Sequence, residues 1–435
     1  MEYIRRIVDD VIDKRMEAFN AVSITGPKGC GKTRTAKERC KTVIEFQDED
    51  NREGYLAVAE TAPKLFLKNP KPILFDEWQD AVKIWGTIRK ACDDNPDNVG
   101  EYYLTGSSSK KINTPHTGTG RITEVTMYPM TLYETGESNG KVSLSKLVEE
   151  GDYDIDGMTS DIELEDLFFS VCRGGWPRCM ALKKDSAKLE IAKDYYRQIY
   201  QKDISAIDGI SRNPEWARTL MWSYARNMAT TAKRKNIYAD VKATQNVTDV
   251  TLASYVEVLE ALYVVRDIDA WTPHLRSKTA IRAAKKHIFI DPSIGLAALG
   301  ISPDYFINDL DMFGHVFENI VLRDLLVYAE KHNARLLHYT DDMGLEADAV
   351  YQMADGRYAL IEIKTGTNKI PEAEKSLLKF KEVIRKYNDK ALKNQAHPRD
   401  IYREPSALIV ICANAKMAYT TESGVRIVPV GCLRD

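Results

Sequence analysis

The sequence predicts an α/β protein built as three successive units. These are a nucleotide-binding domain with a parallel sheet, a helical region ending in a winged-helix-like unit, and an αβββαβ domain. Three observations carry this. Gly26-Pro27-Lys28-Gly29-Cys30-Gly31-Lys32-Thr33 is a complete GxxxxGK[ST] loop behind the apolar run Ala21-Val22-Ser23-Ile24. Lys71 to Gln79 reads as a short apolar strand ending in Asp76-Glu77. The last third alternates helix, three strands, helix and strand. A chain of 435 residues has room for three such units.

Composition narrows the class. A net charge of −3 excludes a grossly basic nucleic-acid coat but leaves room for a local basic groove. No run is long and apolar enough to span a bilayer and Met1-Glu2-Tyr3-Ile4-Arg5-Arg6 has no apolar signal core, so a soluble cytoplasmic protein is expected. Seven scattered cysteines with no CxxC pair argue against a disulfide framework or a zinc site.

Taken in order, residues 3 to 19 place Ile4, Ile7, Val11, Ile12 and Met16 at helical spacing, a helix expected simply to pack. The glycine-rich turn then points backbone N–H groups at one spot against a helix N-terminus, where a triphosphate can sit. Lys32 would reach the β and γ phosphates and Thr33 would put its hydroxyl on Mg²⁺, while Cys30 fills a variable position. The helix continues from Thr35 to Cys40, and Thr42 to Phe46 reads as the second strand. Asp76 would hold Mg²⁺ through water and Glu77 would polarise the attacking water. A third strand, Glu101 to Thr105, runs into Gly106-Ser107-Ser108-Ser109, where Ser107 or Ser108 could position that water. Arg121, in the loop His116 to Ile122, either stabilises charge on the γ-phosphate, within its own chain or across to a neighbour in a homo-oligomer, or is a solvated loop arginine.

The series GPKGCGKT, ILFDEWQ, LTGSSS, HTGTGRI, YPMTLYETGES and CRGGWP resembles the AAA+ ATPases that carry a DUF4143 region. The resemblance covers residues from about 20 to 180 in the family's order. It implies an AAA+ core over 1–145 that takes ATP and Mg²⁺, with Gly26, Pro27, Lys28, Gly29, Cys30, Gly31, Lys32 and Thr33 around the nucleotide and Asp76 and Glu77 in the roles above.

Residues 145 to 162 are acidic and glycine-containing, which suits a surface connection. Beyond Cys172-Arg173-Gly174-Gly175-Trp176-Pro177 come helical patterns over 186–207 and 214–229, then a helix capped by Val247-Thr248-Asp249. Tyr263-Val264-Val265 and Ile288-Phe289-Ile290 read as strands joined by a loop bearing Arg276, Lys278, Arg282, Lys285 and Lys286. This outline is a winged helix over 160–305, and the resemblance places the DUF4143 region here. Its basic loop either grips DNA phosphates or is a solvated face on a protein-binding domain.

In residues 310–435, period-two alternation puts Glu362 and Lys364 on one face of a strand, with Asp348 on its hairpin neighbour. Two carboxylates and a lysine are the set with which a D…ExK nuclease binds Mg²⁺ or Mn²⁺ and attacks a phosphodiester. The same alternation also fits a solvated face, and Glu346 competes with Asp348. With Glu318 as a further ligand, the arrangement resembles the PD-(D/E)XK superfamily, in particular the archaeal Holliday-junction-resolvase type. The resemblance implies a DNA partner and a catalytic set of Asp348, Glu362 and Lys364. Two functions are therefore expected to compete: an ATPase coupled to a DNA-cleaving domain, or a nucleotide-gated switch whose nuclease-like module only binds a partner.

Overall fold

The computed structural model describes residues 2–106, 117–272, 284–341, 344–393 and 401–435. The first unit is a parallel five-stranded sheet of β1 (Ala21–Thr25), β2 (Thr42–Glu45), β3 (Ile73–Asp76), β4 (Tyr102–Thr105) and β5 (Ile122–Thr126), in the order β2-β3-β4-β1-β5. β1, β3 and β4 are buried throughout, as short apolar strands covered on both faces must be. The helices α1 (Ile7–Met16), α2 (Lys32–Lys37), α3 (Arg52–Thr61) and α4 (Lys83–Asp94) cover them. The sequence reading has neither α3 nor α4 nor β5, and α1 and α2 are shorter than their apolar patterns allow.

β6 (Val142–Ser143) and α5 (Leu144–Glu149) open a region of helices: α6 (Leu164–Arg173), α7 (Asp185–Gln198), α8 (Pro214–Arg226), α9 (Arg234–Lys242) and α10 (Asp249–Ala261). α7 runs on into a π-helical turn, Ile199–Asp203. An antiparallel hairpin of β7 (Val265–Ile268) and β8 (Lys286–Phe289) follows, then α11 (Pro292–Leu299). The acidic stretch 145–162 is not a free connection: Ile155 is fully buried, and the backbone of Gly157 and Ser160 bonds to Ala418 and Lys416. Its charges stay in water while its backbone edges the last domain.

The last unit holds α12 (Leu310–His332), β9 (Arg335–Thr340), β10 (Glu346–Gln352), β11 (Tyr358–Lys364), α13 (Ile370–Lys393), β12 (Ala407–Cys412), β13 (Tyr419–Thr420) and β14 (Arg426–Pro429). The sheet order is β13-β14-β12-β11-β10-β9. A final strand, β15 (Leu433–Arg434), pairs with β6. Alternation along β11 divides the sheet's two cores. Ala359, Ile361 and Ile363 join Val316, Phe317 and Ile320 of α12, while Tyr358 and Leu360 join Leu377 and Phe380 of α13. Each fully buried Val, Leu, Ile or Phe among them contributes about 1.5–3 kcal/mol. The core around α12 is continuous with that of the middle helices, so these two regions fold against one another.

The hairpin also covers the edge of this sheet. Trp271 donates its N–H to the His338 carbonyl at 2.6 Å, and the His338 N–H reaches Asp269 O at 3.1 Å. The His338 imidazole is buried, with Nε2 3.0 Å from Ala284 O. Burial, aided by the nearby Lys286 ammonium, pushes its pKa down from 6.5 to about 4. Between those values the unfolded chain binds the extra proton and the folded chain does not, so stability is full above pH 6.5 and is lost as pH falls toward 4. The contribution is at most about 3 kcal/mol. Urea unfolding at pH 5 and pH 7 should show this difference shrinking in His338→Gln, and an unchanged difference would remove the assignment.

Candidate functional site

β1 delivers the chain to Gly26 with φ +143, where an added Cβ would stand 2.1 Å from Met127 O; only glycine fits this approach. Gly29 and Gly31 turn the loop at φ +74 and +109. Lys32 begins α2 and is buried, its Nζ donating to Gly26 O at 2.9 Å and Pro27 O at 2.8 Å. A cation buried among loop carbonyls faces the same hollow that the loop's N–H groups surround, ready to exchange carbonyl oxygens for phosphate oxygens.

Asp76 ends β3 beside this loop. Its Oδ1 accepts from Thr33 Oγ1 at 2.7 Å and from Thr105 Oγ1. Burial raises its pKa, against the two hydroxyls that lower it. Thr33 and Asp76 thus place two hard oxygen donors side by side, a pair that fits Mg²⁺ with waters completing its shell. Thr105 was not anticipated as part of the site. Its position at the C-terminal end of a strand between β1 and β3 is the signal that could have found it. Glu77 follows with φ +54, a left-handed conformation that costs a non-glycine residue of order 1 kcal/mol and turns the carboxylate away from the strand. Gln79 Nε2 donates to that carboxylate.

The N-terminal helix does more than pack. Arg6, at its N-cap and buried, donates NH1 to Cys30 O at 2.9 Å and NH2 to Tyr128 O at 2.9 Å, and its Nε to Glu134 Oε1 at 2.9 Å. Glu134 also accepts the N–H groups of Ile7 and Thr131, each at 2.7 Å. One guanidinium therefore ties the phosphate loop to the YPMTLYE segment. Beside it lies a largely apolar cleft of about 180 Å³ lined by Tyr3, Ile4, Thr35, Met127, Met130 and Pro177, adjoining Gly31. Its size and position suit a nucleotide base. On the opposite side, Lys28 Nζ pairs with Asp203 of the π-helical turn at 2.7 Å, so the middle region touches the loop directly.

Two expectations around this site change. Arg121 precedes β5 at the end where Ala21 begins β1, since the two strands are parallel and in register. The loop leaves β1 from the other end, so Arg121 does not reach the phosphates of its own chain; it pairs with Asp93 at 2.6 Å instead. Ser107 and Ser108 lie outside the described residues, as do Arg276, Lys278 and Arg282.

The GGWP and YPM segments form the clasp between units. Met130 and Gly175 pair through backbone at 2.7 Å, an approach that an added Cβ on Gly175 would block at 2.1 Å from Met130 O. Asp291 accepts from Gly175 N at 2.8 Å and from Arg323 NH1 at 2.8 Å, and Asp324 accepts from Leu132 N at 2.9 Å. Arg323 and Asp324 belong to α12, the helix that also carries Glu318.

Five residues before Arg323 on α12, Glu318 belongs to the second candidate cluster. β10 breaks register against β9 between Ala347 and Val350, and Asp348 sits in that irregularity. Its Oδ2 accepts the Ile363 N–H at 2.7 Å and Lys364 Nζ at 3.1 Å. Lys364 also pairs with Glu362 at 2.6 Å, and Glu362 accepts from Ser376 of α13 at 3.2 Å. Lys286 of β8, 2 % exposed, donates to Glu318 Oε1 and, at 3.2 Å, to Asp348 O. Burial lifts Glu318 to about 8 and Glu362 to about 7, whereas Lys286 and Lys364 hold Asp348 below its usual value against the pull of burial.

This face is not solvated: Asp348 and Glu362 are buried, while the competitor Glu346 is exposed. Nor do Glu318, Asp348 and Glu362 converge as the expected metal ligands. Among the described residues no group of three His, Cys, Asp or Glu side chains is placed to hold a metal ion. The reason is that two ammonium groups already stand between the carboxylates. Of the five basic residues expected in the hairpin's loop only two are described, and of these Lys286 is buried and Lys285 pairs with Asp269 at 2.9 Å. α10, the helix directly before the hairpin, carries Asp249, Glu257 and Glu260 and no lysine or arginine.

Residues 18–136 match the family model described as AAA domain, 164–305 match a domain of unknown function, DUF8612, and 313–433 match a domain of unknown function, DUF4143. The DUF4143 region is thus the last unit, and not the winged-helix-like one to which the sequence resemblance assigned it. Among solved structures the chain is similar to the Walker-type ATPase PABY2304 of Pyrococcus abyssi, with 14% identity, a TM-score of 0.42, and 68% of this chain and 96% of that one covered. It is also similar to the signal transduction ATPase with numerous domains PH0952, with a tetratricopeptide repeat sensor, from Pyrococcus horikoshii. There the identity is 13%, the TM-score 0.24, and the coverage 76% of this chain and 49% of that one. No curated protein matches the chain. The match described as AAA domain covers the phosphate loop and the Asp76-Glu77 strand end of the first unit. Among the described residues no helix is long and apolar enough to cross a membrane.

Proposed function

We propose that the protein binds and hydrolyses ATP with Mg²⁺ and uses the nucleotide state to control a DNA-engaging, nuclease-like C-terminal domain. The observation that carries the first half is Lys32 on the loop carbonyls of Gly26 and Pro27 with Asp76 accepting from Thr33 and Thr105 beside it. Mg²⁺, when bound, would neutralise charge developing on the phosphates. Lys32 would hold the β and γ phosphates, Thr33 and Asp76 would orient the ion, the apolar cleft beside Tyr3 and Met127 would take the base, and Glu77 would accept a proton from the attacking water. Arg6 would report the state of the loop to the YPMTLYE segment, and α12 would carry it on to Glu318.

The second half is supported by the αβββαβ order of α12, β9, β10, β11, α13 and β12, by Asp348 beside Glu362 and Lys364, and by Lys375 and Lys379 flanking Ser376 on α13. The helices α8 to α10 with the β7–β8 hairpin have a winged-helix outline, and the acidic α10 favours a protein partner for it over DNA. A second reading makes the C-terminal module catalytically silent, and the lysines that occupy its carboxylates favour it.

One experiment addresses both halves. Lys32→Ala should weaken ATP binding roughly ten- to a hundredfold, the loss of charge-assisted bonds to phosphate; undiminished binding would remove the phosphate-loop assignment. The same proteins are then mixed with branched, single-stranded and supercoiled DNA and Mg²⁺ or Mn²⁺, with and without ATP. Cleavage lost in Glu362→Ala establishes the nuclease, and no cleavage under any condition leaves the silent module.

A further inference from the structure

We propose that the Lys286 ammonium is the resident cation of the C-terminal acid cluster, and that Lys286 and a divalent ion occupy the cluster in mutually exclusive fashion. This rests on the nuclease-like reading for where a cation would sit. Every other charged member of the cluster comes from the C-terminal domain itself: Glu318 from α12, Asp348 from β10, Glu362 and Lys364 from β11. Lys286 alone comes from the hairpin that precedes the domain, and it arrives 2 % exposed. Its Nζ bonds to Glu318 Oε1 and to the Asp348 carbonyl at 3.2 Å, and lies 4.0 Å from Asp348 Oδ1. An ammonium group set between two carboxylates and a carbonyl oxygen has the donor surroundings of a hard cation.

Packing alone does not ask for a lysine at this point, since a buried ion pair replaced by apolar groups of similar volume is often neutral or more stable. The hairpin is held in place by a specific pair of bonds: Asn319, one residue after Glu318, donates Nδ2 to Phe289 O at 2.8 Å and accepts Phe289 N–H at 2.9 Å. Lys286 is thereby seated by the same helix whose carboxylate it neutralises. With it in place, Glu318 is engaged on one side and Lys364 takes Asp348 and Glu362 on the other, so no carboxylate pair is left to a metal. The device is an autoinhibitory contact made by one domain on the acidic cluster of the next.

The test is Mn²⁺ binding to the full-length, nucleotide-free protein, followed by the electron paramagnetic resonance of free Mn²⁺. Lys286→Met, which keeps the length and removes the charge, should gain one site at least about tenfold tighter than any in the wild type. That site should vanish in the Lys286→Met, Asp348→Asn double variant. A folded Lys286→Met with no gain, or a wild type that binds as tightly through Asp348, overturns the proposal. Should Lys286→Met not fold, acetylation of wild-type lysines decides the matter. Lys286 protected with no Asp348-dependent Mn²⁺, or exposed when that Mn²⁺ is bound, supports exclusion; Mn²⁺ bound with Lys286 still protected overturns it. The nuclease reading fails separately: a Lys286→Met that binds Mn²⁺ yet cuts no DNA leaves exclusion standing. Conversely, wild-type cleavage through Glu362 with Lys286 protected removes exclusion and keeps the nuclease.

Discussion

Glu77→Gln is expected to bind ATP as the wild type does while losing roughly two to four orders of magnitude in turnover, the range for removal of a positioned general base. The substitution keeps the shape of the side chain, so the φ of +54 at this residue and the neighbouring Asp76–Thr33 contact are not asked to change. What is lost is a carboxylate able to accept a proton and oriented by Gln79. The strained backbone is informative here: a glutamate has no local reason to adopt a left-handed conformation at the end of a strand, and such strain persists where the surrounding structure demands the side chain's direction. Phosphate release under saturating ATP, beside equilibrium binding of a fluorescent ATP analogue, separates the two effects. Unchanged turnover with intact binding would place the base elsewhere and leave Glu77 as a structural strand end.

The phosphate loop, the Asp76-Glu77 strand end and the αβββαβ order were legible because each is written in contiguous residues whose spacing has one physical meaning: glycines for a tight anion-binding turn, an apolar strand before two acids, alternation on both sides of a buried sheet. What was not legible depends on residues far apart in the chain. Arg6 meets Glu134 across 128 positions, and nothing in the pattern of α1 marks one arginine as buried. Lys286 looks like any lysine of a basic loop until the fold brings it to Glu318. Glu362 and Lys364 show the reverse case. Their alternation with isoleucines is common to solvated faces and buried sites, and only burial by α13 and the hairpin separates the two. For Arg121 the topology excludes only the phosphates of its own chain, because residues just before a parallel strand lie at the edge away from the ligand crevice. The YPMTLYETGES and CRGGWP segments, recognisable as motifs, have a structural meaning that their spelling does not give: they are the two halves of the clasp between the ATPase unit and the rest.

Removing the guanidinium of Arg6 should show how much that clasp carries. In Arg6→Met, Glu134 stays buried with its Ile7 and Thr131 N–H partners but without its counter-charge, and two backbone carbonyls, of Cys30 and Tyr128, lose their donor. Breaking a buried pair from one side costs about 3–5 kcal/mol, because the desolvated charge that remains has lost its counter-charge. The double variant Arg6→Met, Glu134→Gln removes that stranded charge and should recover a large part of the loss, while the isolated Glu134→Gln leaves the guanidinium on two carbonyls and falls between them. Urea unfolding of the three proteins measures the order. If Arg6→Met costs less than about 1 kcal/mol, the pair behaves as a surface contact. The same three proteins, assayed for ATP binding, separate stability from signalling. A double variant that regains stability but binds ATP more weakly would mean that Arg6 shapes the loop for phosphate. Full recovery of both would make the arginine a fastener between units and nothing more.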